Sequence, residues 1–194
     1  VINLYNKIQN IIIAEDLDPE LEVSQIHRDG VVKYNSCDRH FEVFNTFNVI
    51  PQNCFSCYKV QLQPKNVFEL IKVYLIFDNL VFNKNLTRKC MVELRQNIKG
   101  FYKAFIYCVG LEEAEKTLAF IKPILSKTIS NEMKIEIKRG CSEFANEYPD
   151  YKEINPLKKN FMNYNNSWIE KENIIDQKIR NTREQNFISL QTLS

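Results

Sequence analysis

The chain has 194 residues, of which 44% are hydrophobic and 26% charged. That profile belongs to a globular protein with room for one ordinary domain and appendages, or two very small domains. Lys and Arg number 26 against 24 Asp and Glu, a formal net charge of +2, so no bulk field favours nucleic acid or acidic lipid. Only 4 Gly and 6 Pro argue against fibrous and low-complexity classes. The apolar runs, such as Val73–Phe77, are too short to span a bilayer, so no membrane association is expected.

Residues 1–13 place Val1, Leu4, Tyr5, Ile8, Ile11 and Ile12 on one helical stripe, which the acidic, Pro-containing stretch 15–20 stops. Segments 22–26 and 31–34 flank Arg28-Asp29-Gly30, a hairpin signal. Residues 37–57 carry two Cys/His pairs with an aromatic-rich segment between them. Tyr58, Val60 and Leu62 alternate with Lys59 and Gln61, as in a half-buried strand. Pro64 opens a helix that runs through Leu80, with Val67, Phe68, Ile71, Tyr74 and Leu75 at helical spacing.

A second strand is expected over 89–95, burying Cys90, Val92 and Leu94, and a third over 101–108, burying Tyr102, Ala104 and Ile106. A helix follows Gly110, with Glu112 and Glu113 in its first turn and a stripe of Leu111, Ala114, Leu118, Ile121 and Leu125. Met133, Ile135 and Ile137 make a fourth strand. The order β-α-β-β-α-β across about 57–141 predicts an α+β, ferredoxin-like fold: an antiparallel sheet in spatial order 4-1-3-2 with both helices on one face. Beyond Tyr151 the sequence is rich in Asn, Lys, Glu and Gln, with a mostly polar helix over 173–185. The expected organisation is an N-terminal helix with a Cys/His segment (1–56), the ferredoxin-like domain (57–150), and a polar tail (151–194) that docks on the domain or on a protein partner, or is partly disordered.

Six Cys amount to about 3% of the chain, well below the density of a disulfide scaffold. No basic segment followed by an apolar run precedes a small-residue cleavage site. The chain starts at Val1 and reads as processed or partial, and the expected compartment is the cytoplasm. There, paired Cys read first as metal ligands. Cys37-x2-His40 and Cys54-x2-Cys57, separated by thirteen residues, form two chelating pairs, because an x2 turn can present two ligands to one tetrahedral zinc.

In the expected topology the start of the first strand lies beside the ends of the third and fourth. That brings Cys57, Cys108, Cys141 and Cys90 to one sheet edge next to Cys54, an arrangement that also suits an iron–sulfur cluster. Candidate ligands are therefore Cys37, His40, Cys54, Cys57 and Cys141, for zinc or iron–sulfur. A hairpin centred at residue 99 pairs Leu94 with Ala104, Val92 with Ile106 and Cys90 with Cys108, all on the apolar face. Those two Cys are then either opposed thiols or two small core hydrophobes. Cys141, preceded by Lys138, Arg139 and Gly140, is also a candidate nucleophile, because nearby cations favour a reactive thiolate. Neither His27 nor His40 is marked as its base.

The segment Ala104-Phe105-Ile106-Tyr107-Cys108-Val109-Gly110-Leu111-Glu112-Glu113-Ala114 resembles the third strand and second helix start of RNA-recognition-motif domains. The resemblance covers about 58–138 and implies bases stacked on outward aromatics, at Phe105 here. Lys103 stands where that family usually has another aromatic, and the first strand shows Lys59 and Gln61 outward. Phe101, Phe105 and Tyr107 with Lys59 and Lys103 are the candidate nucleic-acid contacts. No phosphate loop, GxSxG elbow, HExxH or EF-hand loop is present. The expected function is a metal-binding module of structural or redox role. The alternatives are a single-stranded nucleic-acid binding domain and a thiol enzyme using Cys141.

Overall fold

The computed structural model describes residues 25–28, 37–82, 86–94 and 98–192. The amphipathic stretch 1–13 and the Asp29-Gly30 turn lie outside these residues. In chain order the elements are β1 (Gln25–Arg28), α1 (Cys37–Phe47), β2 (Cys57–Gln63), α2 (Val67–Asn79), β3 (Arg88–Val92), β4 (Tyr102–Val109), α3 (Leu111–Thr128), β5 (Lys134–Arg139), α4 (Ser142–Glu147) and α5 (Ile169–Thr192). The fold is α+β. Its antiparallel sheet has the order β1-β3-β4-β2-β5, so β1 adds an edge strand outside β3.

Alternation along the strands points Tyr58, Val60, Leu62, Cys90, Ala104, Ile106 and Cys108 to one face, where they meet Leu70, Val73 and Phe77 of α2 and Ala114, Ile121 and Leu125 of α3. Burying this face is the main apolar gain of the sheet. The side chain of Asn66 caps α2 by accepting the Glu69 N–H at 3.0 Å, and Glu69 reaches back to the Lys65 N–H at 2.8 Å.

Three sequence expectations require correction. The stripe expected on α2 is the wrong face: Phe68 is 61% exposed and Val67, Ile71, Tyr74 and Leu75 are exposed with it, while Leu70, Val73 and Phe77 are buried. The helix is apolar nearly all round, so periodicity alone did not select the packed side. The β3–β4 register differs by four residues, for Cys90 pairs with Ala104, Val92 with Tyr102 and Arg88 with Ile106. An even shift keeps every side chain on its face, so the apolar pattern is equally satisfied by both registers. Cys90 and Cys108 are accordingly separate core residues; the Cys108 thiol donates to Thr117 Oγ1 at 3.6 Å. Third, the segment holding Cys37 and His40, where an x2 turn of ligands is expected, is the helix α1.

The second face of the sheet is closed as well, with Lys59, Gln61, Met91, Glu93, Lys103 and Phe105 all buried. The chain beyond β5 is ordered and packs back on the molecule. Phe144 and Tyr151 join Ile50 and Cys54 in a second core, and Ile175 of α5 joins Val43 and Val49 in a third. Arg139 ties this region to the sheet: its guanidinium lies 4.4 Å from the Phe161 ring centroid and 5.2 Å from that of Phe55, and donates to Met162 O at 2.9 Å and Phe55 O at 3.2 Å. Among the described residues no helix is long and apolar enough to cross a membrane.

Candidate functional site

Four chain segments converge at the end of the sheet where β2 begins and β5 leaves. The Pro51–Ser56 turn carries Cys54, and Cys57 is the first residue of β2. Cys141 follows Gly140 directly after β5, and the Gly140 N–H donates to Cys57 O at 2.8 Å, which fixes Cys141 beside the start of β2. Cys37 and His40 stand three residues apart on α1, hence on one helical face. All five line a single cavity of about 940 Å³, together with Lys59, Lys89, Lys103, Lys138 and Tyr107.

The sheet pattern explains Lys59. Cys57, Lys59 and Gln61 alternate onto the face opposite the helices, and Lys59 sits opposite Tyr107 on one side and Lys138 on the other. Its ammonium lies 5.1 Å from the Tyr107 ring centroid and 5.8 Å from that of Phe105, and donates to Cys141 Sγ at 3.5 Å. Lys59 is only 8% exposed. Burial pulls its ammonium down, but the facing Cys141, Tyr107 and Cys57 hold it net above its ordinary value. Lys138, half-buried and donating to Ser142 Oγ, is shifted down by burial and by the like charges of Lys59 and Lys103. Lys103 pairs with the buried Glu93 at 3.2 Å.

The remaining thiols titrate high. Burial, then the sulfurs of Cys141, Cys57 and Cys37, holds Cys54 far above the ordinary thiol range. Burial pushes Cys57 up to about 11, against the lowering influence of Lys59, and Cys37 is raised by burial and by Cys141. In the core, burial pushes Cys90 up to about 12 and Cys108 up to about 11. All six Cys are free thiols. His40 is 7% exposed with its Nε2 unpartnered, and burial followed by the Arg39 charge lowers its basicity.

The sequence-derived ligands Cys37, His40, Cys54, Cys57 and Cys141 are thus brought together around one space, whereas Cys90 stays in the helix-side core. Among the described residues, no group of three or more His, Cys, Asp or Glu side chains is arranged to hold a metal ion. The Cys141 sulfur instead accepts from an ammonium. The nucleic-acid candidates are placed differently from expectation. Phe105 is 9% exposed and Lys103 3%, Tyr107 lines the cavity, and only Phe101 stands clear on the surface.

Lys59 lies on the outward face of the sheet as expected, but it is buried there rather than displayed to solvent. The signal was available, since period-2 alternation puts Lys59 on the face of Cys57, and the sheet order puts the residue after the fourth strand next to both. No protein-family model, curated protein or solved structure matches the chain.

Proposed function

We propose that the chain is a thiol protein of ferredoxin-like topology, with Cys141 as its reacting sulfur and Lys59 as the cation that stabilises negative charge on that sulfur during attack. The observation that carries this reading is the 3.5 Å contact between Lys59 Nζ and Cys141 Sγ at the wall of the cavity. An ammonium taken out of water is costly unless a partner compensates it, and the partner here is the most nucleophilic atom type in proteins. A neighbouring cation is the usual means of making a cysteine reactive. A cavity of about 940 Å³ suits a small electrophile, and falls within the range of roughly 300–1,000 Å³ usual for small-molecule sites. The order β5-β2-β4-β3 supports the split β-α-β-β-α-β topology, with the site at one end of that sheet.

Limiting iodoacetamide, followed by peptide mapping of the reduced chain, tests this reading. Cys141 is expected to be alkylated first. Lys59→Met is expected to slow it roughly tenfold, equivalent to about 1.4 kcal/mol and typical of one charge-assisted hydrogen bond, while the rate at Cys37 stays as it was. Equal labelling of Cys141 and Cys37, or an unchanged Cys141 rate in the variant, overturns the reading. So does stoichiometric zinc or an iron–sulfur absorption band in anaerobically purified protein, with Cys141 unreactive until the metal is stripped. That result would favour a metal module held by Cys37, His40, Cys54, Cys57 and Cys141.

A further inference from the structure

The same pair supports a second chemistry, which rests on Cys141 being the reacting sulfur. A sulfur oxidised to a sulfenic acid normally condenses with the nearest competent nucleophile, most often a thiol. The hydrogen-bond partner of the Cys141 sulfur is an amine nitrogen. Lys59 Nζ lies 3.5 Å from Sγ, pinned over the faces of Phe105 and Tyr107. Of the other thiols at the cavity wall, Cys54 is buried and Cys57 half-buried. Cys141 is itself half-buried at the wall of the cavity, which gives a small oxidant access to sulfur while the amine stays enclosed.

We propose that Cys141 and Lys59 are a peroxide-responsive modification site, in which a hydroperoxide oxidises Cys141 and the Lys59 amine then closes a sulfenamide cross-link between β2 and the segment after β5. In the first step the peroxide O–O bond breaks and one oxygen goes to sulfur. The sulfur loses two electrons, the peroxide gains them, and the peroxide leaves as water or an alcohol. Cys141 attacks as the thiolate and takes the terminal oxygen as hydroxyl, and the hydroxide or alkoxide that leaves takes a proton from the Lys59 ammonium, so the nitrogen is left as a neutral amine beside an electrophilic sulfur. In the second step nitrogen attacks sulfur, the S–O bond breaks, and the hydroxyl departs with a proton from nitrogen as water. The product holds one S–N bond and has lost two hydrogens relative to the reduced pair. A thiol reductant reverses it by cleaving that bond.

The test is one equivalent of hydrogen peroxide on the reduced full-length chain, followed by digestion without reductant and mass spectrometry. The expected product is a cross-linked peptide pair containing Lys59 and Cys141, two hydrogens lighter than the separate peptides and released by dithiothreitol. In Lys59→Met the cross-link should be absent, with Cys141 trapped instead by dimedone as its sulfenic acid. Because that variant loses a buried side chain, the wild-type peptide map decides the matter alone. A Cys141 disulfide to Cys37, Cys54 or Cys57, or progression to sulfinic acid without a cross-link, overturns the cross-link but leaves Cys141 as the reacting sulfur. Oxidation elsewhere with Cys141 untouched overturns both.

Discussion

Gly140 sets the path by which the chain leaves β5 and presents Cys141. Its φ of +53° lies in the left-handed region, and a Cβ there would overlap the Tyr151 hydroxyl and ring. Tyr151 has no room to yield, being fully buried with its hydroxyl donating to Cys54 O at 2.6 Å. Gly140→Ala is therefore expected to destabilise the protein by more than the roughly 1–3 kcal/mol of backbone strain alone, because the clash adds to it. A lowered urea midpoint with unchanged slope would show this. A midpoint equal to wild type would mean that the ring and the chain beside it shift freely. This glycine was legible in the sequence only as a bend after a strand. That it also makes room for Tyr151 follows from the chain folding back eleven residues later, which no local pattern reports.

At the scale of elements, α2 displays the ambiguity of a helix that is apolar on two sides. Its inward residues Leu70, Val73 and Phe77 fill the main core, whereas Phe68, Ile71 and Leu75 face solvent. Leu70→Ala should cost about 2–5 kcal/mol, while Ile71→Gln should stay within about 0.5 kcal/mol. Paired denaturation curves check this, and reversed magnitudes would show that the helix packs by its other face. The β3–β4 hairpin carries the same lesson in period 2, since registers differing by four residues keep each side chain on the same face of the sheet. Hydrogen bonding at the strand ends and the placement of the connecting loop separate them, and neither is written in hydrophobicity. The helix α1 was missed for a different reason: its paired Cys37 and His40 read first as ligands, although their spacing fits one helical face equally well.

At the scale of the whole molecule, α1 and α5, far apart in the chain, are tied together by charge. Arg39 of α1 donates to both carboxylate oxygens of Asp176 at 2.7 and 2.8 Å and to Glu172 at 2.7 Å. Glu172, buried in α5, also accepts from the Gln52 N–H at 2.9 Å and the Tyr164 hydroxyl at 2.8 Å. The hydrogen bond from Arg39 holds Asp176 below its ordinary value of 3.8, and burial followed by the Arg39 charge holds His40 below 6.5. Both groups take up protons more readily in the unfolded chain, so stability must fall as pH falls. The His40 contribution is lost as pH drops below its ordinary value. The Asp176 contribution, complete above its ordinary value, is lost as pH falls through that value toward the depressed one. Equilibrium unfolding across this range should show two declining steps, with His40→Gln removing the upper and Arg39→Met the lower. A curve insensitive to Arg39→Met would mean that the packing of Val43, Val49 and Ile175, not the Arg39 charge, holds α1 to α5.

What the amino-acid sequence determined by itself was the identity and order of the strands and helices from β2 to β5, because alternation and 3.6-residue periodicity are local and strong there. It also marked five of the residues that line the cavity, through the short spacing of two pairs and the cations before Cys141. The tertiary structure decided between choices the local pattern leaves degenerate: which side of α2 is buried, which even register β3 and β4 adopt, and that the polar chain beyond Tyr151 closes on α1. It alone placed the Lys59 ammonium on the Cys141 sulfur. That contact joins residues 82 positions apart, and chain separation of that size is bridged only when packing of the whole sheet brings the start of β2 beside the end of β5.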